Sequence, residues 1–179
     1  MNKILAFAGS NSPTSINHQL ILNVSQRISE HEVEVLKMSE IEIPMFSIVR
    51  EKEGAPQVVK ELYEKIRNSK ALIISVNENN RMVSAYFKNI IDWLSRIERK
   101  FLQDKKILLM STSPGRHGGA AALEYSKFIF TRFGSEVVES FSLPQFYENF
   151  DLEKGTIKNE VFELGVVEVV TSFSQQIKE

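Results

Sequence analysis

The sequence contains no cysteine. Disulfides, thiolate nucleophiles and Cys-ligated zinc or iron–sulfur centres are therefore excluded. Histidine is scarce as well. His18, His31 and His117 are the full set, and no two have metal-ligand spacing, so no metal site is expected. An excess of one charge is also missing. The 22 Lys and Arg face 23 Asp and Glu, a formal net charge of −1. That argues against a general nucleic-acid binder, which carries a basic face. No apolar run approaches the roughly 20 residues that span a bilayer. Met1 runs straight into the first apolar run, so no signal or transit segment is expected. The expectation is a soluble, cytoplasmic protein.

What is present is alternation. With 179 residues the chain can build one full core. No repeat, low-complexity stretch or linker divides it, so residues 1–179 are expected to form one domain. Residues 3–8 are apolar without alternation, as in a strand covered on both faces. Leu20, Ile21, Val24 and Ile28 recur at helical spacing and predict a helix over 15–29. Residues 31–38 alternate Val33 and Val35 with Glu32 and Glu34, the pattern of a half-exposed edge strand. Residues 39–55 read as a long connection. Pro56 suits an early helical position, and Val59, Leu62, Tyr63 and Ile66 supply that helix's buried face.

Residues 71–76 form a third strand, apolar throughout but for Ser75, ending in the polar cluster 77–81. Helix 84–98 buries Phe87, Ile90, Ile91 and Leu94. Strand 105–110 ends in the small-residue loop 111–119. Helix 120–133 is stopped by Gly134. Strand 136–141, an irregular stretch over 142–155 and a helix over 157–177 complete the chain. Strand and helix thus alternate five times. The expected fold class is α/β: a doubly wound five-stranded parallel sheet with helices on both faces; with order 2-1-3-4-5 its reversal lies between strands one and three. In such sheets a ligand binds at the carboxyl ends of the strands, where strand order reverses. The loops after strands one, three and four are expected to converge there.

The first of these loops is Gly9-Ser10-Asn11-Ser12-Pro13-Thr14-Ser15-Ile16-Asn17. It joins a buried strand to a helix N-terminus, where unpaired N–H groups and the macrodipole favour an anion. Ser10, Ser12, Thr14 and Ser15 add hydroxyl donors, and no Lys or Arg is present. A P-loop is excluded, because neither a second glycine nor a lysine follows Gly9. A dinucleotide G-x-G-x-x-G loop is excluded by the single glycine. A phosphoacceptor domain would need acidic strand ends, and these are Ser10 and Ser75. One glycine among hydroxyls suits a single phosphate monoester, such as flavin mononucleotide (FMN) presents.

Three motifs together resemble the NAD(P)H-dependent FMN reductases, and the resemblance implies their flavodoxin-like fold, with sheet order 2-1-3-4-5. The family pattern G-S-x-R-x-x-S-x-N-x-x-L is met by Gly9, Ser10, Ser15, Asn17 and Leu20, with Ser12 at the arginine position. The pattern T-P-E-Y-N, then L-K-N-x-x-D-W, corresponds to Val76-Asn77-Glu78-Asn79-Asn80 and Phe87-Lys88-Asn89-Ile90-Ile91-Asp92-Trp93. The pattern S-x-S-P-G-x-x-G-G is met by Ser111, Ser113, Pro114, Gly115, Gly118 and Gly119. The resemblance covers about residues 2–175. It implies noncovalent FMN, with NADPH or NADH as co-substrate. Ser10, Ser12, Ser15, Ile16 and Asn17 would surround the phosphate. Asn77, Glu78, Asn79 and Asn80 would run along the isoalloxazine ring, mostly through backbone groups. Ser113, Pro114 and Gly115 would approach its other side. It further implies a homodimer or homotetramer. Ser12 in place of arginine removes a charge-assisted contact of about 1.5–3 kcal/mol. Asn77 and Asn79 replace the family's Pro and Tyr, so FMN affinity is expected to be lower. Arg81 is a nearby cation for the flavin, a nicotinamide phosphate or an acidic acceptor.

The implied reaction moves hydride from nicotinamide to flavin, then electrons to a second acceptor: flavin, quinone, azo compound or metal ion. No catalytic acid or base is required of the protein. Two alternatives remain: an electron carrier that oxidises no nicotinamide, and a binding module without FMN. Several residues also have a purely structural reading. Gly9 and its serines can be a turn and N-cap, and 77–81 a solvated loop. Gly118-Gly119 can simply let a helix start close to the sheet. Lys88, Asn89, Asp92 and Trp93 are expected to be structural, Asp92 orienting a loop and Trp93 packing. Met45, Phe46 and Phe146 can be core, pocket or dimer contact. His117 is expected to be an exposed loop residue.

Overall fold

A computed structural model describes residues 2–178. β1 (Lys3–Ala8) leads through α1 (Ile16–Ser25) to β2 (Glu32–Leu36). A short helix α2 (Ile48–Glu51) and α3 (Gln57–Arg67) precede β3 (Ala71–Val76). A small hairpin of β4 (Glu78–Asn79) and β5 (Met82–Val83) follows, then α4 (Ala85–Ile97) and β6 (Lys106–Thr112). α5 (Ala120–Arg132) leads to β7 (Glu136–Leu143). The chain continues with α6 (Phe146–Asn149), a hairpin of β8 (Phe150–Asp151) and β9 (Thr156–Ile157), and α7 (Glu160–Gln176).

The five long strands pair in parallel in the order β2-β1-β3-β6-β7. This is the expected doubly wound order, with its reversal between β1 and β3. Side-chain alternation divides the core. Leu5 and Phe7 pack with Leu72, Ile74, Ile107 and Leu109 under α3, α4 and α5. Ile4, Ala6 and Ala8 pack with Ile73, Leu108 and Met110 under α1 and α7. Both faces of the central strands are covered, which is why their sequences lack alternation.

Element ends differ from the sequence expectations where polar residues join regular structure. β6 continues through Ser111 and Thr112, and β7 through Ser142 and Leu143, because these residues pair with each other in register. Residues 77–81 are a hairpin rather than an open loop. Its two turn residues, Asn80 and Arg81, have φ of 52° and 65°, as a type I′ turn requires. Pro56 lies outside α3: its ψ of 146° is extended, and it serves as the cap residue. Helix α1 stops at Ser25, where the chain tightens into turns from Arg27 to Val24 and from Ile28 to Ser25. The stretch 142–155 holds α6 and β8. The last helix starts at Glu160, because Thr156 and Ile157 pair with Asp151 and Phe150.

The connection between β2 and α3 is tied to α4. Asn89 Oδ1 accepts from Phe46 N at 2.7 Å, and Trp93 Nε1 donates to the Pro44 carbonyl at 2.7 Å. Tyr86 donates toward the Met38 and Ile41 carbonyls, and burial pushes its phenol pKa up to about 12. Trp93 is fully buried, with Phe46 edge-on at 5.1 Å, while Met45 is exposed. Phe146 is core, stacked on Phe150 at 4.6 Å. Asp92 does not orient a loop. It pairs with Lys88 one turn back on the outer face of α4.

Gly9 ends β1 under tight constraint. Its N–H donates to Ser75 O, and its carbonyl accepts from Ser84 Oγ, both at 2.8 Å. A Cβ there would lie 2.7 Å from Phe87 Cγ. Gly9→Ala is therefore expected to destabilise by about 1–3 kcal/mol through overpacking. The check is a lower urea midpoint at unchanged m-value. An unchanged midpoint would mean that Phe87 moves aside freely.

Candidate functional site

The carboxyl ends of β1, β3 and β6 open onto one cleft of about 300 Å3. Ser10, Ser12, Thr14, Ser15, Ile16 and Asn17 line it from the first loop. Asn77, Glu78 and Asn79 line it from the end of β3, and Thr112, Ser113 and Pro114 from the end of β6. Tyr147 of α6 closes one side. Ten of the twelve residues singled out from the sequence thus meet in one place. Asn80 and Gly115 do not line it. Asn80 is at the hairpin tip, and the Gly115 carbonyl is bound by Gln145 N at 2.9 Å.

The first loop is built from its own hydroxyls. Ser12 N donates to Ser10 Oγ and Thr14 N to Ser12 Oγ, each at 3.3 Å. Ser15 is the N-cap of α1, and its Oγ accepts from His18 N at 3.2 Å. The first two helical N–H groups, of Ile16 and Asn17, have no carbonyl one turn back to bind. The turn-and-cap reading of this loop and the anion reading are therefore compatible. One donor is capped, and two remain.

Asn17 is not free to hold a ligand through its side chain. Its Oδ1 accepts from Thr112 N at 3.1 Å and Ser75 Oγ at 2.7 Å. Its Nδ2 donates to Thr112 O at 3.1 Å. What Asn17 can offer an anion is its backbone N–H. Glu78 is likewise engaged. Its Oε2 accepts from Ala121 N at 2.9 Å and Ala122 N at 3.1 Å, capping α5 across the cleft floor. Gly118 and Gly119 make that start possible. Both have positive φ, and a Cβ on Gly118 would lie 2.3 Å from Ser142 Oγ. The close-approach reading of the glycine pair therefore holds.

The electrostatics are those of neutral donors. No Lys or Arg lines the cleft, and its one carboxylate is turned onto α5. His18 follows in α1 and does not line the cleft. Burial first, and Lys37 second, hold its imidazole pKa below the usual value, so it adds no charge at neutral pH. One group in the cleft lacks a partner: the buried Asn77 Oδ1. A buried acceptor without a donor is costly. Tyr147 gave no signal in the sequence beyond being an aromatic in a polar stretch. Among the described residues no cluster of His, Asp or Glu could hold a metal, and no helix is long and apolar enough to cross a membrane.

These features can be set beside known proteins. The sequence pattern of the NADPH-dependent FMN reductases matches residues 2–148. A quinone reductase of Escherichia coli K12 is 32% identical over 120 residues, 66% of this chain and 63% of that protein's length. The flavoenzyme NAD(P)H:(acceptor) oxidoreductase FerB from Paracoccus denitrificans is 25% identical and superimposes with a TM-score of 0.79, covering 99% of this chain and 98% of that one. An FMN-dependent NADH-azoreductase from Bacillus anthracis, solved in complex with FMN, shares the fold at 14% identity, with a TM-score of 0.62 over the full length of both chains.

Proposed function

This chain belongs to the NADPH-dependent FMN reductase family, and on that premise we propose that its cleft holds FMN with the phosphate on the Ser10–Asn17 loop. The protein is an NAD(P)H-dependent FMN oxidoreductase of the flavodoxin-like fold. The observation that carries the placement is the convergence of three hydroxyl- and amide-rich loops on one cleft at the reversal of strand order. The residues there fit the group. The N–H groups of Ile16 and Asn17, with the hydroxyls of Ser10 and Ser12, would hold the phosphate. Asn79 on one side, and Ser113 and Pro114 on the other, would flank the ring. Asn80 and Gly115 would act from behind, by setting the paths of those two loops.

When bound, FMN would supply the redox chemistry, a site for hydride from a nicotinamide and a source of electrons for an acceptor. The protein's own part is to bind and orient. Glu78 fixes the Asn77–Asn79 backbone by anchoring it to α5. Asn17 fixes the phosphate loop against β3 and β6. No side chain in the cleft is arranged to move a proton, so no catalytic acid or base is assigned. A quinone is the acceptor we propose first, because the Escherichia coli relative is a quinone reductase. Residues 1–179 would act as one domain, in the cytoplasm. A homodimer or homotetramer is supported by the exposed apolar Met45, Ile48 and Val49.

The test is spectroscopic. Protein reconstituted with FMN is expected to show flavin absorbance that NADPH or NADH bleaches without oxygen and benzoquinone restores. A yellow protein indifferent to both nicotinamides would be an electron carrier instead. A protein that never takes up FMN would overturn the reading.

A further inference from the structure

A second depression, of about 460 Å3, adjoins the flavin cleft at Glu78, which lines both. Its walls are Glu78, Arg81, His117, Ala120, Ala121 and Glu124. Two of these are acidic. Glu78 accepts from the amides of α5 through Oε2 alone, and Glu124 pairs with Lys127 at 2.8 Å on the exposed side. The basic groups have no such partners. Among the described residues, neither Arg81 nor His117 has a side-chain hydrogen bond or an ion pair. Arg81 is also held in place. It occupies the second position of the two-residue turn between β4 and β5, at φ 65°. A non-glycine residue rarely adopts that conformation, and the residue that holds it here lines the depression.

We infer that this depression receives the adenosine 2′-phosphate of NADPH, with Arg81 as its principal cation and His117 beside it. The inference rests on the flavin occupying the adjoining cleft, where the nicotinamide must lie. A phosphomonoester is close to a dianion at neutral pH. A guanidinium fork meets it with paired charge-assisted hydrogen bonds, and an arginine is the general means of accommodating a 2′-phosphate. NADH has only a hydroxyl there. The depression therefore discriminates between the two co-substrates, whereas the flavin cleft has no Lys or Arg with which to do so.

Arg81→Gly is the informative variant, because glycine accepts φ 65° without strain. Wild type with FMN is expected to favour NADPH over NADH in kcat/KM by at least about tenfold. Arg81→Gly should lower that ratio about tenfold, and Arg81→Lys should keep part of it. Binding without turnover gives a second readout. In calorimetry, 2′,5′-ADP should bind wild type more tightly than 5′-ADP, which carries similar charge elsewhere, and Arg81→Gly should abolish the difference. Equal loss for both co-substrates would place the arginine on the shared pyrophosphate and overturn the inference, as would an unchanged ratio. A wild type that takes up no FMN sinks the flavin reading alone, since the two ADP titrations do not depend on flavin.

Discussion

Ser15→Asp is expected to weaken FMN binding by at least about 100-fold while leaving the fold as stable as before. The two effects separate because Ser15 has two neighbours. Toward the helix, its Oγ caps His18 N. Aspartate is as good an N-cap as serine, and its charge suits the positive end of the helix. Toward the cleft, Ser15 stands among the donors proposed to meet the phosphate. A carboxylate there sets like charges against each other in a partly desolvated site, which costs several kcal/mol. About 3 kcal/mol is already a factor of roughly 100.

The measurement is the FMN dissociation constant from quenching of flavin fluorescence, alongside thermal unfolding of the apoprotein. Riboflavin, which lacks the phosphate, is the internal control. Its affinity should change by less than about threefold, since it brings no charge to repel. Equal losses for FMN and riboflavin would mean that the substitution distorts the ring site. Unchanged FMN affinity would mean that the phosphate binds elsewhere.

The central strands of the sheet were legible because their burial depends on patterns short enough to see. Residues 4–8 and 71–76 have no polar alternation, and that alone places them in the middle of the sheet. The three cleft loops were legible because each follows such a strand. What could not be read was set by partners far apart in the chain. Glu78 caps amides 43 and 44 residues away, and nothing near Glu78 marks it as a helix cap. Ser111, Thr112 and Ser142 look like loop residues, yet a neighbouring strand pairs with each of them. Asn80 and Arg81 form a hairpin turn without the glycine that usually signals one. Tyr147 reaches the cleft because Gln145 N and Phe146 N bind the carbonyls of Gly115 and Ser113, a contact with no local signature.

Asn17 is the sharpest of these cases, and Asn17→Ala should be the most destabilising of the substitutions considered. Parallel pairing of β3 with β6 ends at Val76 and Ser111. Thr112, one residue further, has no β3 residue to bind on that side. The Asn17 amide takes that place. It accepts from the Thr112 N–H and donates to the Thr112 carbonyl, as a strand residue would. It also accepts from Ser75 Oγ. Asn17, Ser75 and Thr112 are all at most 3% exposed, so water cannot readily replace a lost partner. Alanine would leave an N–H, a carbonyl and a hydroxyl without partners, at about 1–3 kcal/mol each before relaxation. Hydroxyl rotation and local settling reduce the sum, and a net loss of about 3–5 kcal/mol is expected. In a domain of this size that lowers the melting temperature by about 10 °C. Because the same amide holds the phosphate loop against β6, FMN affinity should fall with stability. Ser75→Ala removes only one of the three donors and acceptors and should cost about 1 kcal/mol. If both variants melt together within about 1 °C, on the order of 0.3 kcal/mol, the Asn17 amide is not what joins the loop to the sheet.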